Sequence, residues 1–212
     1  MKFSQFHVVG FIGAPWSGRS TAADIFAELH NVAAGRAELV RIAFSDAPMR
    51  GLLTMLQPLG LKPQHLTDPE MYRAPLWDNP DTGEVVTPFM LYDSLRYGWG
   101  HGVDKALWLA VLEMTLRAHM EMAQQEDAEL AGAVIPDVET EEEAELVRAY
   151  GGTVVEIRAS DEAREKRAGG RLPEHEWVGG DLSIDNNGSL EDLRTSLALN
   201  MVRIITPSER VA

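Results

Sequence analysis

The chain has no cysteine among its 212 residues, which excludes disulfides, thiolate zinc sites and a cysteine nucleophile and fits a reducing cytoplasm. No segment approaches the roughly 18 apolar residues that span a membrane, so a soluble protein with no membrane partner is expected. Positive charge is scarce: 19 Lys and Arg stand against 33 Asp and Glu, for a net charge of −14. Such a chain repels nucleic acid at long range, which disfavours non-specific DNA binding through phosphate contacts. The segment Met1-Lys2-Phe3-Ser4-Gln5-Phe6-His7 leads directly into a strand pattern without the apolar stretch of a signal peptide. A cytoplasmic location is expected.

What is present is ordinary for a globular protein: 45% hydrophobic and 25% charged residues, enough for one α/β domain over 1–212 with its own core. Short apolar runs at His7 to Ile12, Leu39 to Phe44, Ala131 to Pro136 and Thr153 to Arg158 read as strands, with Ser183-Ile184-Asp185 as a short edge strand or turn. Helical spacing follows Ser20 (Ala22, Ile25, Phe26, Leu29) and recurs at Pro48 to Leu56, Pro88 to Tyr97, Lys105 to Gln124, Glu141 to Tyr150 and Ser189 to Arg203. This alternation predicts an α/β fold, a mainly parallel sheet with helices on both faces. Lys62 to Thr87, rich in Pro, Asp and Gly, reads as a long acceptor-side loop. The acidic stretches Glu126 to Glu129 and Glu139 to Glu145 read as solvated helix ends.

Between the first strand and first helix lies Gly13-Ala14-Pro15-Trp16-Ser17-Gly18-Arg19-Ser20. A Walker A turn needs glycines that let backbone N–H groups wrap phosphate oxygens, a cation for the outer phosphates and a hydroxyl for Mg²⁺. Gly13, Gly18, Arg19 and Ser20 fill those places, with Arg19 where Lys is usual. Arg keeps the charge but is planar and bidentate, so it holds phosphate differently from an ammonium. Gly13, Ala14, Trp16, Ser17, Gly18, Arg19, Ser20 and Thr21 are therefore the candidate ATP-binding residues, and the parallel sheet is expected to be P-loop NTPase-like.

Two acids fall at strand ends, Asp46 and Asp137, where an open parallel sheet places its ligand crevice. Either could take a proton from an attacking hydroxyl or serve Mg²⁺, Asp137 with Ser20; the alternative for each is a helix cap, with the functional role favoured for Asp46. The basic segment with Arg158, Arg164, Lys166, Arg167 and Arg171 predicts a small lid over roughly 159–180 that closes on phosphate, against the alternative of an exposed helix. Gly98-Trp99-Gly100-His101-Gly102 reads as a hinge, an aromatic wall or a loop. None of the six histidines has metal-ligand spacing; His175 alone follows the lid.

The order of these elements resembles the phage-type deoxynucleoside monophosphate kinases over nearly the whole chain. The matching pieces are Phe44-Ser45-Asp46-Ala47-Pro48, Thr87-Pro88, Trp99-Gly100, Ile135-Pro136-Asp137-Val138 with Glu143-Ala144-Glu145-Leu146, Gly151-Gly152, His175-Glu176, and Asn187-Gly188-Ser189-Leu190-Glu191-Asp192-Leu193. The resemblance implies ATP and Mg²⁺ on the phosphate loop, a deoxynucleotide acceptor under the loop and lid, and transfer of the γ-phosphoryl group. It implies the host cytoplasm if the chain is viral. A homodimer is left open.

Departures from the family pattern bear on the acceptor. Phe89 and Glu139 stand where arginines are expected, and Asp93-Ser94-Leu95-Arg96-Tyr97-Gly98 departs from the pattern of the middle helix. Either Arg73 or Arg96 compensates as a phosphate grip, or the acceptor carries a neutral hydroxyl. Phage relatives that phosphorylate 5-hydroxymethyluracil in DNA provide that second form; it needs a base, for which Asp46 is the candidate, and aromatic faces for a turned-out base among Trp16, Tyr72, Trp77, Phe89, Tyr92 and Trp99. DNA is then a partner. A third reading is a nucleotide-binding module without catalysis.

Overall fold

A computed structural model describes residues 6–35, 38–78, 80–104, 106–124, 130–170, 172 and 178–206. In chain order the elements are β1 (His7–Ile12), α1 (Arg19–Ala34), β2 (Glu38–Arg41), α2 (Asp46–Leu56), a 3-10 turn (Gln57–Leu59), α3 (Gln64–Thr67), α4 (Pro69–Arg73), β3 (Trp77–Asp78), β4 (Val85–Val86), α5 (Pro88–Asp93), a π-helix (Ser94–Trp99), α6 (Gly100–Val103), α7 (Leu107–Ala123), β5 (Leu130–Val138), α8 (Glu141–Ala149), β6 (Thr153–Arg158), α9 (Asp161–Ala168), β7 (Leu182–Asp185) and α10 (Leu190–Ile205). They group into two compact units, residues 1–43 with 112–212 and residues 44–111, a division the sequence does not announce.

The first unit is built on a five-stranded sheet of order β2-β5-β1-β6-β7, with parallel pairing throughout. This is the expected α/β class, a parallel sheet with helices on both faces. β1 and β5 are central and almost wholly buried, so they read as continuous apolar runs rather than alternating ones. Along β1, Val9 and Phe11 join a core with Ala22, Ile25 and Phe26 of α1 and with Leu193, Leu197 and Ile204 of α10. Gly10 points the other way, and a Cβ there would press on Val147 of α8 at 2.9 Å. The period-two alternation of a strand thus sorts helices onto both faces. Phe11 and Phe26, both fully buried, meet at 5.8 Å between ring centroids; truncating either to Ala should cost about 3–5 kcal/mol.

β5 runs to Val138, beyond Pro136 where the sequence pattern ends. Gly10 pairs with Ile135 and Ile12 with Val138, so β5 carries one extra residue opposite Phe11. Proline has no N–H for the ladder, and in a central strand it is tolerated at such a bulge. The bulge falls at Pro136 and Asp137, at the strand end nearest the loop that follows β1.

α8 begins with a full capping box: the Thr140 hydroxyl accepts from the Glu143 N–H, and the Glu143 carboxylate accepts from the Thr140 N–H. α10 repeats the device with Ser189 and Asp192, as its sequence predicts; the bonds from Ser189 hold the Asp192 carboxyl below its ordinary pKa.

The second unit departs more from expectation. Lys62 to Thr87 is not one irregular loop. Asp68 accepts from the N–H groups of Glu70 and Met71 to start α4, and Trp77 and Asp78 pair with Val86 and Val85 as an antiparallel hairpin. The expected helix from Pro88 to Tyr97 is α5 followed by a π-helix, and 98–102 continues as helix instead of a loop. Its core holds Leu52, Leu61, Leu66 and Tyr92. No helix among the described residues is long and apolar enough to cross a membrane.

Candidate phosphate-binding site

The loop between β1 and α1 is irregular, with a turn closed by the Ser17 N–H on the Ala14 carbonyl at 3.0 Å. Gly13 approaches the neighbouring strand so closely that a Cβ would lie 2.5 Å from the Ile157 carbonyl oxygen and 2.7 Å from the Ser17 hydroxyl. Gly18 enters α1 in the left-handed region at φ 93, and no side chain caps the helix. The first N–H groups of α1 therefore have neither an intrahelical partner nor a side-chain cap, and the helix dipole adds partial positive charge there. The Ser17 hydroxyl is buried at 1% exposure and has no hydrogen-bond partner. A buried hydroxyl without a partner is costly, and an anion in the loop would satisfy it.

The outer side of the same loop is held by side chains from distant elements. Arg164, buried, donates from Nε to the Pro15 carbonyl at 2.9 Å and pairs with Asp161 at 2.8 Å. Arg167 donates to the carbonyls of Trp16 at 3.3 Å, Ser17 at 3.1 Å and Asn186 at 2.6 Å. Asn186, buried, donates its side-chain N–H to the Ser17 carbonyl at 2.7 Å, while its backbone N–H donates to the Arg158 carbonyl at 2.7 Å. Three successive carbonyls are thus drawn outward. Trp16 is the one non-glycine at positive φ, 67, among the described residues. Such strain costs about 1–3 kcal/mol and persists only where the surroundings over-determine it; these bonds do so.

The expected lid looks different in this light. Arg164 and Arg167 are tied to the loop backbone rather than free to swing over it, because an arginine presents several donors and the loop presents outward carbonyls. Arg171 and His175 lie outside the described residues, with the rest of 173–177.

Arg19 turns along the loop to the end of β5. It donates to the Val138 carbonyl at 3.2 Å and the Gly13 carbonyl at 3.4 Å, and pairs with the Glu139 carboxylate. Glu139 is therefore not a solvated helix end as its sequence context suggests. Asp137 is buried at the β5 bulge, and Ser20 and Thr21 are exposed in the first turn of α1. Among the described residues no cluster of three or more His, Asp or Glu forms a protein-only metal cage. A serine hydroxyl and an aspartate carboxylate, the groups at Ser20 and Asp137, are oxygen types that Mg²⁺ takes, one or two protein oxygens being completed by phosphate oxygens and water.

In the second unit, Asp46 is the first residue of α2, with Ser45 at the cap. Tyr72 meets Phe89 edge-on at 5.6 Å and Tyr92 at 6.3 Å, and the Arg73 guanidinium lies 6.0 Å from the Phe89 ring. Arg96, buried in the π-helix, donates to the Tyr92 hydroxyl at 2.7 Å. Phe89 and Trp99 expose much of their rings, and Trp99 leans on Trp108 at 6.4 Å. Trp77 sits in the hairpin and Asp93 is exposed at the end of α5; neither joins the aromatic cluster.

Asn186 is the loop residue that sequence reasoning missed. It is 169 positions from Ser17, and nothing in its neighbourhood marks it apart from the turn at Asn187-Gly188.

No protein-family model and no curated protein matches the chain. Among solved structures, one described as the crystal structure of TT1252 from Thermus thermophilus is similar over 95% of this chain and 99% of its own, with 16% identity and a TM-score of 0.44.

Proposed function

We propose that the chain is an ATP-dependent phosphotransferase that passes the γ-phosphoryl group to a deoxynucleotide. The observation that carries this reading is the loop itself: an uncapped helix N-terminus entered through Gly18, with a buried, unpartnered Ser17 hydroxyl inside and its carbonyls held outward. That is a cradle for a phosphate chain.

In the proposed reaction the acceptor oxygen bonds to the γ-phosphorus as the bond to the ADP oxygen breaks, so the protein acts by positioning and charge stabilisation. Backbone N–H groups from Gly13 to Ser20 hold the triphosphate. Mg²⁺, held by Ser20 and Asp137, would neutralise phosphate charge when bound. Asp46 serves as base or acceptor contact, and Arg73 as the cation for the acceptor; Arg96, buried on the Tyr92 hydroxyl, does not reach one.

The exposed rings of Phe89 and Trp99 favour a second reading, in which a turned-out 5-hydroxymethyluracil of DNA stacks and its hydroxyl is the acceptor. The net charge of −14 weighs against DNA.

The test is incubation with γ-labelled ATP and, separately, the deoxynucleoside monophosphates, 5-hydroxymethyl-dUMP, and DNA containing 5-hydroxymethyluracil. Label in free diphosphate supports the first reading and label in polymer the second; no transfer to any acceptor returns the chain to a nucleotide-binding module. Ser20→Ala should abolish transfer with the fold intact. Asp46→Asn should slow transfer far more for a hydroxyl acceptor than for an ionised phosphate.

A further inference from the structure

We infer that Glu139 is a specificity-determining residue of the phosphate loop, holding the Arg19 guanidinium so that a polyphosphate displaces it and a single phosphate does not. This rests on the reading of the loop as a phosphate site.

Arg19 is the first residue of α1, so its backbone belongs to the cradle while its side chain reaches away along β5. The guanidinium is fixed at three points: the Gly13 carbonyl, the Val138 carbonyl and the Glu139 carboxylate. The two charged side chains are only 19% and 18% exposed, so water screens their attraction less than at an open surface. Glu139 is not a swinging surface chain either. Its backbone N–H donates to the Glu143 carboxylate at 2.7 Å, which anchors it to the capping box of α8.

Charge bookkeeping then separates ligands. The helix terminus contributes about half a positive charge, while Arg19 and Glu139 cancel. A lone phosphate can occupy the N–H groups and the Ser17 hydroxyl, but has no second group with which to win Arg19 from the Glu139 carboxylate. A polyphosphate carries more charge and more acceptor oxygens, so one phosphoryl fills the cradle while the next exchanges with the carboxylate at the guanidinium fork. Repulsion by a placed carboxylate is a general means of rejecting the wrong ligand.

The experiment is calorimetric titration of wild type, Glu139→Gln and the double variant Arg19→Gln/Glu139→Gln with inorganic phosphate and with tripolyphosphate at constant ionic strength, alongside melting curves. Glu139→Gln keeps the shape and an acceptor. It should raise phosphate affinity about five- to tenfold and tripolyphosphate affinity no more than about twofold, narrowing the preference, and the double variant should lose that gain. If Glu139→Gln melts early, Glu139→Asp, which shortens the reach to Arg19, should shift the preference in the same direction. Equal changes for both ligands, or none, with wild type still binding tripolyphosphate, would overturn the inference and leave the loop reading standing. Wild type binding neither ligand would sink the loop reading, and the inference with it.

Discussion

Gly18 and Gly60 have nearly the same backbone angle, φ 93 and φ 92, in two different settings. Around Gly18 the chain is held by groups far away in sequence: a Cβ there would collide with the Asn186 side chain, and Arg167 lies just beyond. Around Gly60 a Cβ would meet nothing within 4 Å. The rest of each region follows suit. The loop is tied by bonds spanning 119 to 169 residues, whereas the side-chain bonds of the second unit span far fewer, from three or four, as in Arg96 to Tyr92, Thr54 to Arg50 and the Asp68 cap, to twelve between Trp108 and Arg96. A region held by long-range bonds keeps its shape only while the whole sheet is folded. A region held by local bonds can rearrange at small cost.

The largest effect should come from Gly18→Ala. Beyond the left-handed strain of about 1–2 kcal/mol that any L-residue meets there, the new methyl displaces Asn186 and releases the Ser17 carbonyl, and tripolyphosphate binding should weaken at least about 100-fold. Gly60→Ala should carry the strain alone, lowering stability by about 1–2 kcal/mol in urea melts without changing that affinity. Equal binding losses in the two variants would erase the contrast between the regions.

Next is Asn186→Ala, which removes one loop bond and leaves the glycine free. Anion affinity should fall about tenfold with a small change in melting temperature. A large drop in stability with unchanged affinity would make Asn186 a packing residue only.

Arg96→Met in the second unit should cost about 1–3 kcal/mol of stability through the lost bond to Tyr92. The affinity for tripolyphosphate should stay at the wild-type value in the same titration, because the loop is held from within its own unit.

The smallest effect concerns pH. His30, buried with its Nδ1 unpartnered, has its pKa lowered by burial first, and the His7 charge lowers it further against a raising bond from Asn31; His7 is lowered by burial against a bond from Ile205. Folded, both bind protons less readily than in the unfolded chain, whose value is 6.5. The unfolded state therefore takes up more protons as pH falls below about 6.5, and stability drops there. Melting temperature should decline from pH 7 to pH 5.5, and His30→Gln should flatten that slope. An unchanged slope would show that neither burial nor His7 matters at this position.

The parts of the site that were legible in the sequence are the parts whose chemistry is local. Gly13 to Ser20 is eight consecutive residues whose order alone specifies a turn, a helix start and a hydroxyl. The capping pair of Ser189 and Asp192 is legible for the same reason. The extension of β5 through Pro136 was not, because a proline signals an end unless the partner strand allows a bulge. The helices and hairpin within Lys62 to Thr87 were obscured by prolines and glycines that cap and turn short elements as readily as they break long ones. The arginines of α9 show the limit most plainly: a cluster of cations beside two glycines suits a lid, and only the outward carbonyls of Pro15, Trp16 and Ser17 reveal what two of them grip.

By itself the sequence determined the parallel α/β plan and the glycine-bearing turn between β1 and α1, because strand and helix periods and an eight-residue turn are written in neighbouring positions. Tertiary structure decided the rest of the loop's character. Arg19 meets Glu139 at a separation of 120 residues, and Asn186 meets Ser17 at 169; such pairs exist only once the sheet has brought the ends of β1, β5 and β7 together. Electrostatics and hydrogen bonding act over a few ångströms of space, whatever the distance along the chain, so the partners of a legible motif had to be read from the fold.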